Sequence, residues 1–93
     1  MIESFRDKRT AAVFVGRLPK GFPSDVAGVA RRKLRMLDAA TRLDDLKVPP
    51  GNRLEALKGD RQGQHSIRIN ERWRVCFRWT DAGPVDVEVV DYH

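Results

Sequence analysis

The chain has 93 residues, of which 41% are hydrophobic and 33% charged, with 18 lysines and arginines against 13 aspartates and glutamates. These values exclude a disordered chain and leave no room for a second core, so they predict one globular domain over residues 1–93. Most of the basic residues are arginines. Because guanidinium groups match the geometry of phosphates, a polyanionic partner is favoured, with a merely solvated basic surface as the alternative.

The first half of the chain predicts a short strand followed by two helices. Residues 2–5 are a strand candidate, and Asp7 is placed to cap a helix that runs through residues 11–15. Prolines and a glycine make residues 18–23 a loop. Ser24 then offers a capping oxygen to the second helix, whose first turn contains Asp25.

The second helix has the clearest pattern in the sequence. Its apolar stripe has a period close to 3.6 residues. The stripe consists of Val26, Ala30, Leu34, Leu37 and Thr41. Four arginines lie off the stripe and are expected to point toward solvent: Arg31, Arg32, Arg35 and Arg42. This pattern predicts a helix over residues 24–46, which Pro49 and Pro50 prevent from continuing.

The second half predicts four strands. They are expected at residues 54–57, 66–70, 73–80 and 85–89, separated by loops that contain glycine. Helices segregated from a mostly antiparallel sheet define an α+β fold. The expected order is β-α-α-β-β-β-β, with both helices packed on one face of a twisted sheet.

Cysteine content and hydropathy exclude several classes of protein. Cys76 is the only cysteine, so an intramolecular disulfide and a zinc ribbon are both excluded. The longest apolar run, residues 11–15, is far shorter than the roughly 20 residues that span a bilayer, and the charged residues 6–9 interrupt any signal segment. We therefore expect a protein of the reducing cytoplasm, without membrane association. Cys76 is expected to pack within the sheet, and His65 to be exposed or structural.

The hairpin between the second and third strands brings arginines together. A three-residue loop that pairs Ile69 with Trp73 puts all the apolar side chains of both strands on one face. The same register puts Arg68 directly opposite Arg74 on the outer face, with Arg78 further along. Opposed like charges destabilise a sheet. We therefore expect this face to bind a phosphate.

Nearby charged residues allow a different explanation of these arginines. Arg68 and Arg74 could splay apart or pair with Glu55 or Glu88, and no anion would then be needed. The loop over residues 58–63 adds a lysine and an arginine beside two glycines, which allow a tight backbone path near a ligand. Such a loop is often only solvated.

The last three residues combine an acid, a phenol and an imidazole. Asp91, Tyr92 and His93 directly follow an apolar strand. This set of groups suits proton transfer and stacking on a nucleobase. The alternative is a frayed polar end of the chain.

Four segments of the chain carry a family resemblance: residues 1–5 (MIESF), 54–61 (LEALKGDR), 66–75 (SIRINERWRV) and 90–93 (VDYH). Together they resemble the HigB toxins of bacterial toxin–antitoxin systems, within the RelE superfamily. The first segment resembles the opening strand of that family and the second its central Leu-Lys-Gly-Asp-Arg block. The third resembles its hairpin and the fourth its Asp-Tyr-His ending. The resemblance extends over essentially the whole chain.

This resemblance implies a ribosome-dependent mRNA endonuclease. In that family the RNA 2′-hydroxyl attacks the adjacent phosphate and leaves a 2′,3′-cyclic phosphate and a 5′-hydroxyl, without a metal or other cofactor. The positions that match its active site are Lys58, Arg74, Asp91, Tyr92 and His93. Contacts to RNA phosphates are expected, from the sheet geometry alone, at Arg61, Arg68 and Arg78.

One position departs from the family pattern. Some members carry a catalytic histidine three residues before the lysine that matches Lys58, and here that position is Glu55. Glu55 could act as the general base, or it could be a surface residue that pairs with an arginine. The base is therefore either Glu55 or His93.

The resemblance also implies partners. One partner is a HigA-like helix-turn-helix antitoxin, which forms a complex with two copies of each chain. The others are the 70S ribosome with its mRNA, and operator DNA, which the complex contacts through the antitoxin. Two alternatives stay open at this point. One is a non-cleaving basic module of the same fold that binds ribosomes or nucleic acid, and the other is a basic scaffold protein.

Overall fold

Two helices come first in the chain and a four-stranded sheet follows, in a computed structural model that describes residues 1–91. The elements are α1 (Lys8–Phe14), α2 (Ser24–Ala39), β1 (Glu55–Ala56), β2 (His65–Arg68), β3 (Trp73–Thr80) and β4 (Gly83–Asp91). The strands pair in the order β1-β2-β3-β4, and every neighbouring pair is antiparallel. The predicted α+β fold is confirmed. Tyr92 and His93 lie outside the described residues.

The strand predicted over residues 2–5 is wrong, because this segment does not join the sheet as a regular strand. It runs beside β4 and makes one isolated parallel bridge, between Phe5 and Val87. The Arg6 N–H donates to the Val87 carbonyl at 2.9 Å, and the Val87 N–H donates to the Ser4 carbonyl at 3.1 Å. These bonds cover an edge of the sheet that would otherwise present unpaired backbone groups.

Both helices begin close to where the sequence predicts. The Asp7 carboxylate accepts a hydrogen bond from the Thr10 N–H at 2.6 Å, which confirms Asp7 as the cap of α1. Ser24 is the first residue inside α2, and its side chain makes no capping bond. The predicted cap at Ser24 is therefore wrong by one position, since Pro23 occupies the capping site.

The predicted end of the second helix at residue 46 is wrong, because α2 ends at Ala39. The Asp45 carboxylate accepts hydrogen bonds from the backbone N–H groups of Thr41 and Arg42, both at 3.0 Å. These bonds lower the pKa of Asp45 and start a separate 3₁₀ turn, Leu43–Lys47. Thr41 is exposed and does not belong to the buried stripe.

The core lies between the helices and one face of the sheet. The stripe predicted on α2 is buried from Val26 to Leu37, with Leu34 and Leu37 both 0% exposed. The facing sheet residues are Ile67, Val75, Phe77, Val87 and Val89. Because side chains alternate along a strand, the residues between these positions lie on the opposite, outer face.

The register of the hairpin is confirmed. Ile67 pairs with Val75, Arg68 pairs with Arg74, and the Ile69 N–H donates to the Trp73 carbonyl at 2.9 Å. The pairing of β3 with β4 is interrupted at one place. A β-bulge lies opposite Phe77, where Asp86 has a φ of 52°.

Replacing Thr10 with valine is expected to destabilise the fold by about 1–3 kcal/mol. Thr10 is 1% exposed, and its hydroxyl accepts a buried hydrogen bond from the Val89 N–H at 2.9 Å. Valine keeps the shape but leaves this N–H buried without a partner. Urea unfolding measures the difference, with Thr10→Ser as the control that retains the hydroxyl. Equal stability of the valine and serine variants would contradict the prediction.

Candidate active site

Polar residues from all four strands form a row across the outer face of the sheet. Glu55 pairs with Ser66, Ser66 with Cys76, and Cys76 with Glu88. Ser66 and Cys76 are both 0% exposed, although this face does not contact the helices. Two arginines bond to members of this row, Arg74 to Ser66 and Arg61 to Glu88.

Arg74 lies beside one end of this row. Its guanidinium donates to the Ser66 hydroxyl at 3.3 Å and lies 3.7 Å from the Glu55 carboxylate. The Arg74 side chain is 19% exposed, whereas that of Glu55 is 52% exposed. The contact with Glu55 was one of the two explanations open for the opposed arginines. The Arg74 side chain extends across β2 toward Glu55, and this ion pair offsets the repulsion between Arg74 and Arg68.

Arg61 lies beside the other end of the row. Its guanidinium donates to the Glu88 carboxylate at 2.8 Å and to the Gln64 side-chain oxygen at 3.1 Å. The Glu88 side chain is only 14% exposed. Arg6 approaches the same carboxylate, with its Nε atom 3.8 Å away. Glu88 is thus a largely buried anion among cations, where ion pairs are stronger than in water.

Arg78 lies further along β3 on the same face and is exposed. Its guanidinium makes a long hydrogen bond of 3.5 Å to the Gln62 carbonyl. It also lies against Gly63, where an added Cβ atom would be 2.6 Å from the Arg78 Nη1 atom. Since Gly63 has a φ of +91°, a side chain at this position would be both strained and obstructed.

Two further predicted site residues lie within residues 1–91, Lys58 and Asp91, and Asp91 pairs with Trp73 on the helix side of the sheet rather than on the outer face. Lys58 is exposed and directly precedes the 3₁₀ turn Gly59–Arg61, three residues after Glu55. Asp91 is the last residue of β4, and its carboxylate accepts a hydrogen bond from Arg72 at 2.8 Å. This ion pair ties the end of β4 to the hairpin loop. Tyr92 and His93 lie outside the described residues, so their predicted places stay predictions.

Comparison with known proteins identifies the family. A family model for HigB-like toxins, the RelE-like toxins of type II toxin–antitoxin systems, matches residues 3–93. The chain belongs to the HigB-like toxins. Toxin HigB-1 of Vibrio cholerae is 48% identical over 60 residues, which span 64% of this chain and 63% of that relative. The protein named Endoribonuclease HigB from Proteus vulgaris is 30% identical over 93 residues, all of both chains.

The strand register of this HigB-like toxin explains most of the side-chain placements that its sequence predicted on the outer face. Glu55 and Arg74 come together across β2, because both strands pair with β2 and both side chains lie on the outer face. The sequence did not indicate that Arg6 and Gln64 lie beside Arg61. Arg6 reaches the face only because the N-terminal segment folds back on β4, and no local sequence pattern predicts that pairing. Glu88 could have been placed beside Cys76 from the alternation of β4.

Two other predictions concern side chains that the site does not use. His65 is half-buried, its ring stacks on that of Phe77 with centroids 6.3 Å apart, and it lies on the helix side of the sheet. This confirms a structural place. The prediction that Arg31 points to solvent is wrong, because its guanidinium packs on Gly16 and its Nε atom is buried.

Neither helix within residues 1–91 has the length and apolar character that crossing a bilayer requires. Over the same residues, no three side chains of His, Cys, Asp or Glu cluster in a way that could hold a metal ion.

Cys76 is confirmed as a buried residue, and burial raises the pKa of its thiol to about 11. Glu88 raises this pKa as well, while Arg61 and Arg74 lower it. The thiol is therefore protonated and unreactive near neutral pH.

We expect iodoacetamide to label native Cys76 far more slowly than the denatured chain. A thiol whose pKa rises on folding contributes stability that is complete below its unfolded pKa and is lost as the pH rises through its folded value. The free energy of unfolding should accordingly fall as the pH rises from about 9 to about 11. A Cys76→Ala variant should lose this part of the pH dependence. Equal labelling rates for the native and denatured chains would contradict the prediction.

Proposed function

We propose that this HigB-like toxin is an endoribonuclease that cleaves mRNA on the ribosome in the bacterial cytoplasm. The observation that carries the proposal is the placement of Arg74, which is held by Ser66 and Glu55 on the outer face of the sheet. A fixed guanidinium beside a carboxylate supplies a phosphate-binding cation and a potential base in one place. The name of the Proteus vulgaris relative supports the same activity.

The proposed reaction is an intramolecular transesterification at the phosphate. A base removes the proton of the RNA 2′-hydroxyl, and this oxygen attacks the adjacent phosphorus. The bond from phosphorus to the 5′-oxygen then breaks, and that oxygen takes a proton. The products are a 2′,3′-cyclic phosphate and a 5′-hydroxyl end, and the scheme requires no metal ion or other cofactor.

Each proposed site residue has one task in this scheme. Arg74 and Lys58 stabilise the negative charge that develops on the phosphorane. Tyr92 stacks on a base of the RNA or orients it. Asp91 fixes the terminal segment, a task that suits its ion pair with Arg72. Arg68 adds positive charge on the same face for the RNA backbone.

Glu55 and His93 are the two candidates for the base. A pH–rate profile of variants separates them, because the acidic limb of the profile reports protonation of the base. We would measure single-turnover cleavage by the wild type, Glu55→Gln and His93→Gln. The variant that abolishes the acidic limb of the profile identifies the base.

The proposal is tested by producing the protein alone in bacteria and mapping new 5′ ends on mRNA. We expect cuts within translated codons that are absent from an Arg74→Ala/His93→Ala control. New ends should carry 5′-hydroxyl groups. Growth arrest without new ends would instead favour a non-cleaving basic module that binds ribosomes.

We further propose an antitoxin of the HigA type as the partner, in a complex with two copies of each chain. The antitoxin would supply the contacts to operator DNA. Co-production of the two proteins, followed by light scattering of the purified complex, measures the stoichiometry. A mass that corresponds to one copy of each chain would contradict the heterotetramer.

A further inference from the structure

A pocket of about 570 Å³ opens on the outer face of the sheet, beside the proposed catalytic residues but separate from them. It is lined by Arg6, Asp60, Arg61, Gln64, Arg78 and Glu88. The sequence predicted contacts to RNA phosphates at two of the six, Arg61 and Arg78, and none of the six has a task in the cleavage step. At about 3.3 Å per residue along β3, the backbones of Arg74 and Arg78 are about 13 Å apart. The pocket therefore lies further along β3 than Arg74, which does not line it.

The inner part of the pocket is fixed by a buried ion pair. Glu88 and Gln64 both accept hydrogen bonds from Arg61, at 2.8 and 3.1 Å. Gln64 is 7% exposed, and the Glu88 side chain is 14% exposed. Charge-assisted bonds in this setting hold the guanidinium of Arg61 in one orientation. The base of the pocket is thus organised before any ligand enters.

The rim of the pocket carries two further arginines from distant parts of the chain. Arg6 comes from the N-terminal segment, and its side chain is 57% exposed. Arg78 comes from β3, and within residues 1–91 the only hydrogen bond of its guanidinium is the long one to a backbone carbonyl. Three arginines against Asp60 and Glu88 leave the pocket with a net positive charge. Guanidinium groups at such a rim are placed to bind an anion in a bidentate manner.

We propose that this pocket binds a nucleotide of single-stranded RNA next to the one that is cleaved. Arg6 and Arg78 contact its phosphate, and its base enters the space above Arg61 and Gln64. The volume falls within the range of about 300–1,000 Å³ that is usual for sites of small ligands. Guanidinium planes and side-chain amides commonly stack on or hydrogen-bond to unstacked RNA bases. The identity of the ligand as RNA rests on the proposed function.

The test is an NMR titration of the labelled full chain with a 2′-O-methylated hexaribonucleotide, which cannot undergo attack by the 2′-oxygen. We expect amide shifts at Arg61, Gln64 and Arg78. The Arg78→Gln variant should bind about tenfold more weakly or worse, since a hydrogen bond to a charged group is lost. For this variant, the slope of log affinity against log salt concentration should also be smaller in magnitude by about 0.7. Arg35→Gln, which removes the same charge from the exposed face of α2, should retain both values.

Three outcomes would overturn the proposal. They are equal affinities of the Arg78→Gln and Arg35→Gln variants, no shifts in the pocket residues of the wild type, and equal shifts caused by a hexaglutamate peptide. The last would indicate an acidic protein segment as the occupant. Because the probe cannot be cleaved, RNA binding in the pocket would survive a failure of the ribonuclease proposal. Conversely, cleavage that depends on Arg74 but an unchanged affinity of Arg78→Gln would reject the pocket alone.

Discussion

Replacing Arg74 with alanine is expected to lower the rate of mRNA cleavage about 10²- to 10³-fold, the usual cost of removing one preorganised donor that stabilises transition-state charge. Ser66 and Glu55 hold this guanidinium in place, so its removal takes a positioned cation from beside Glu55. Single-turnover cleavage on programmed ribosomes measures the effect. Circular dichroism and thermal unfolding check that the variant is folded.

Two further variants make the result specific. Arg35→Ala removes the same charge from the exposed face of α2 and should cleave at nearly the wild-type rate. Arg74→Lys keeps the charge but loses the planar fork that matches a phosphate, so an intermediate rate is expected. If Arg74→Ala is folded and cleaves as fast as Arg35→Ala, Arg74 does not belong to the site.

Replacing Leu34 with alanine is expected to reduce the free energy of unfolding by about 2–5 kcal/mol. Leu34 is 0% exposed and lies in the middle of the stripe that α2 packs against the sheet. Its truncation removes apolar contacts and leaves a cavity that the rigid surroundings only partly fill. The loss is a large share of the 5–15 kcal/mol that stabilises a typical domain.

Leu18→Ala is the matched control, because Leu18 has the same side chain but is 56% exposed. Its stability should stay within about 0.5 kcal/mol of the wild type. Urea unfolding of the three proteins gives both the free energies and the slopes, which should be equal if the denatured states are alike. Comparable losses at Leu18 and Leu34 would show that burial in α2 does not govern stability.

Local patterns predicted the parts of the fold that depend on near neighbours. The stripe through Leu34 and the opposition of Arg68 and Arg74 follow from the helical and strand periods, which are properties of the backbone. The end of α2 was misplaced because a single side chain, Asp45, binds the backbone of Thr41 and Arg42. Such side-chain bonds compete with a helix without disturbing its hydropathy pattern.

The candidate site could be predicted in part for the same reason. Glu55 and Arg74 lie on the two strands that flank β2, and Arg61 lies in the loop between β1 and β2, so strand alternation and chain order place them on one face. Arg6 could not be placed, because its position depends on backbone bonds to β4. Pairing between such distant segments is decided by the whole fold rather than by local preference.

The meeting of the N-terminal segment with β4 has a consequence for biosynthesis. Ser4 and Asp86, which bond to each other, are 82 positions apart. A nascent chain that has not yet reached β4 can form neither this contact nor the ion pair of Arg6 with Glu88. Contacts of such long range also form late in folding. The arginine-lined face is therefore assembled only after β4 has been synthesised, and nascent chains that stop before β4 lack it.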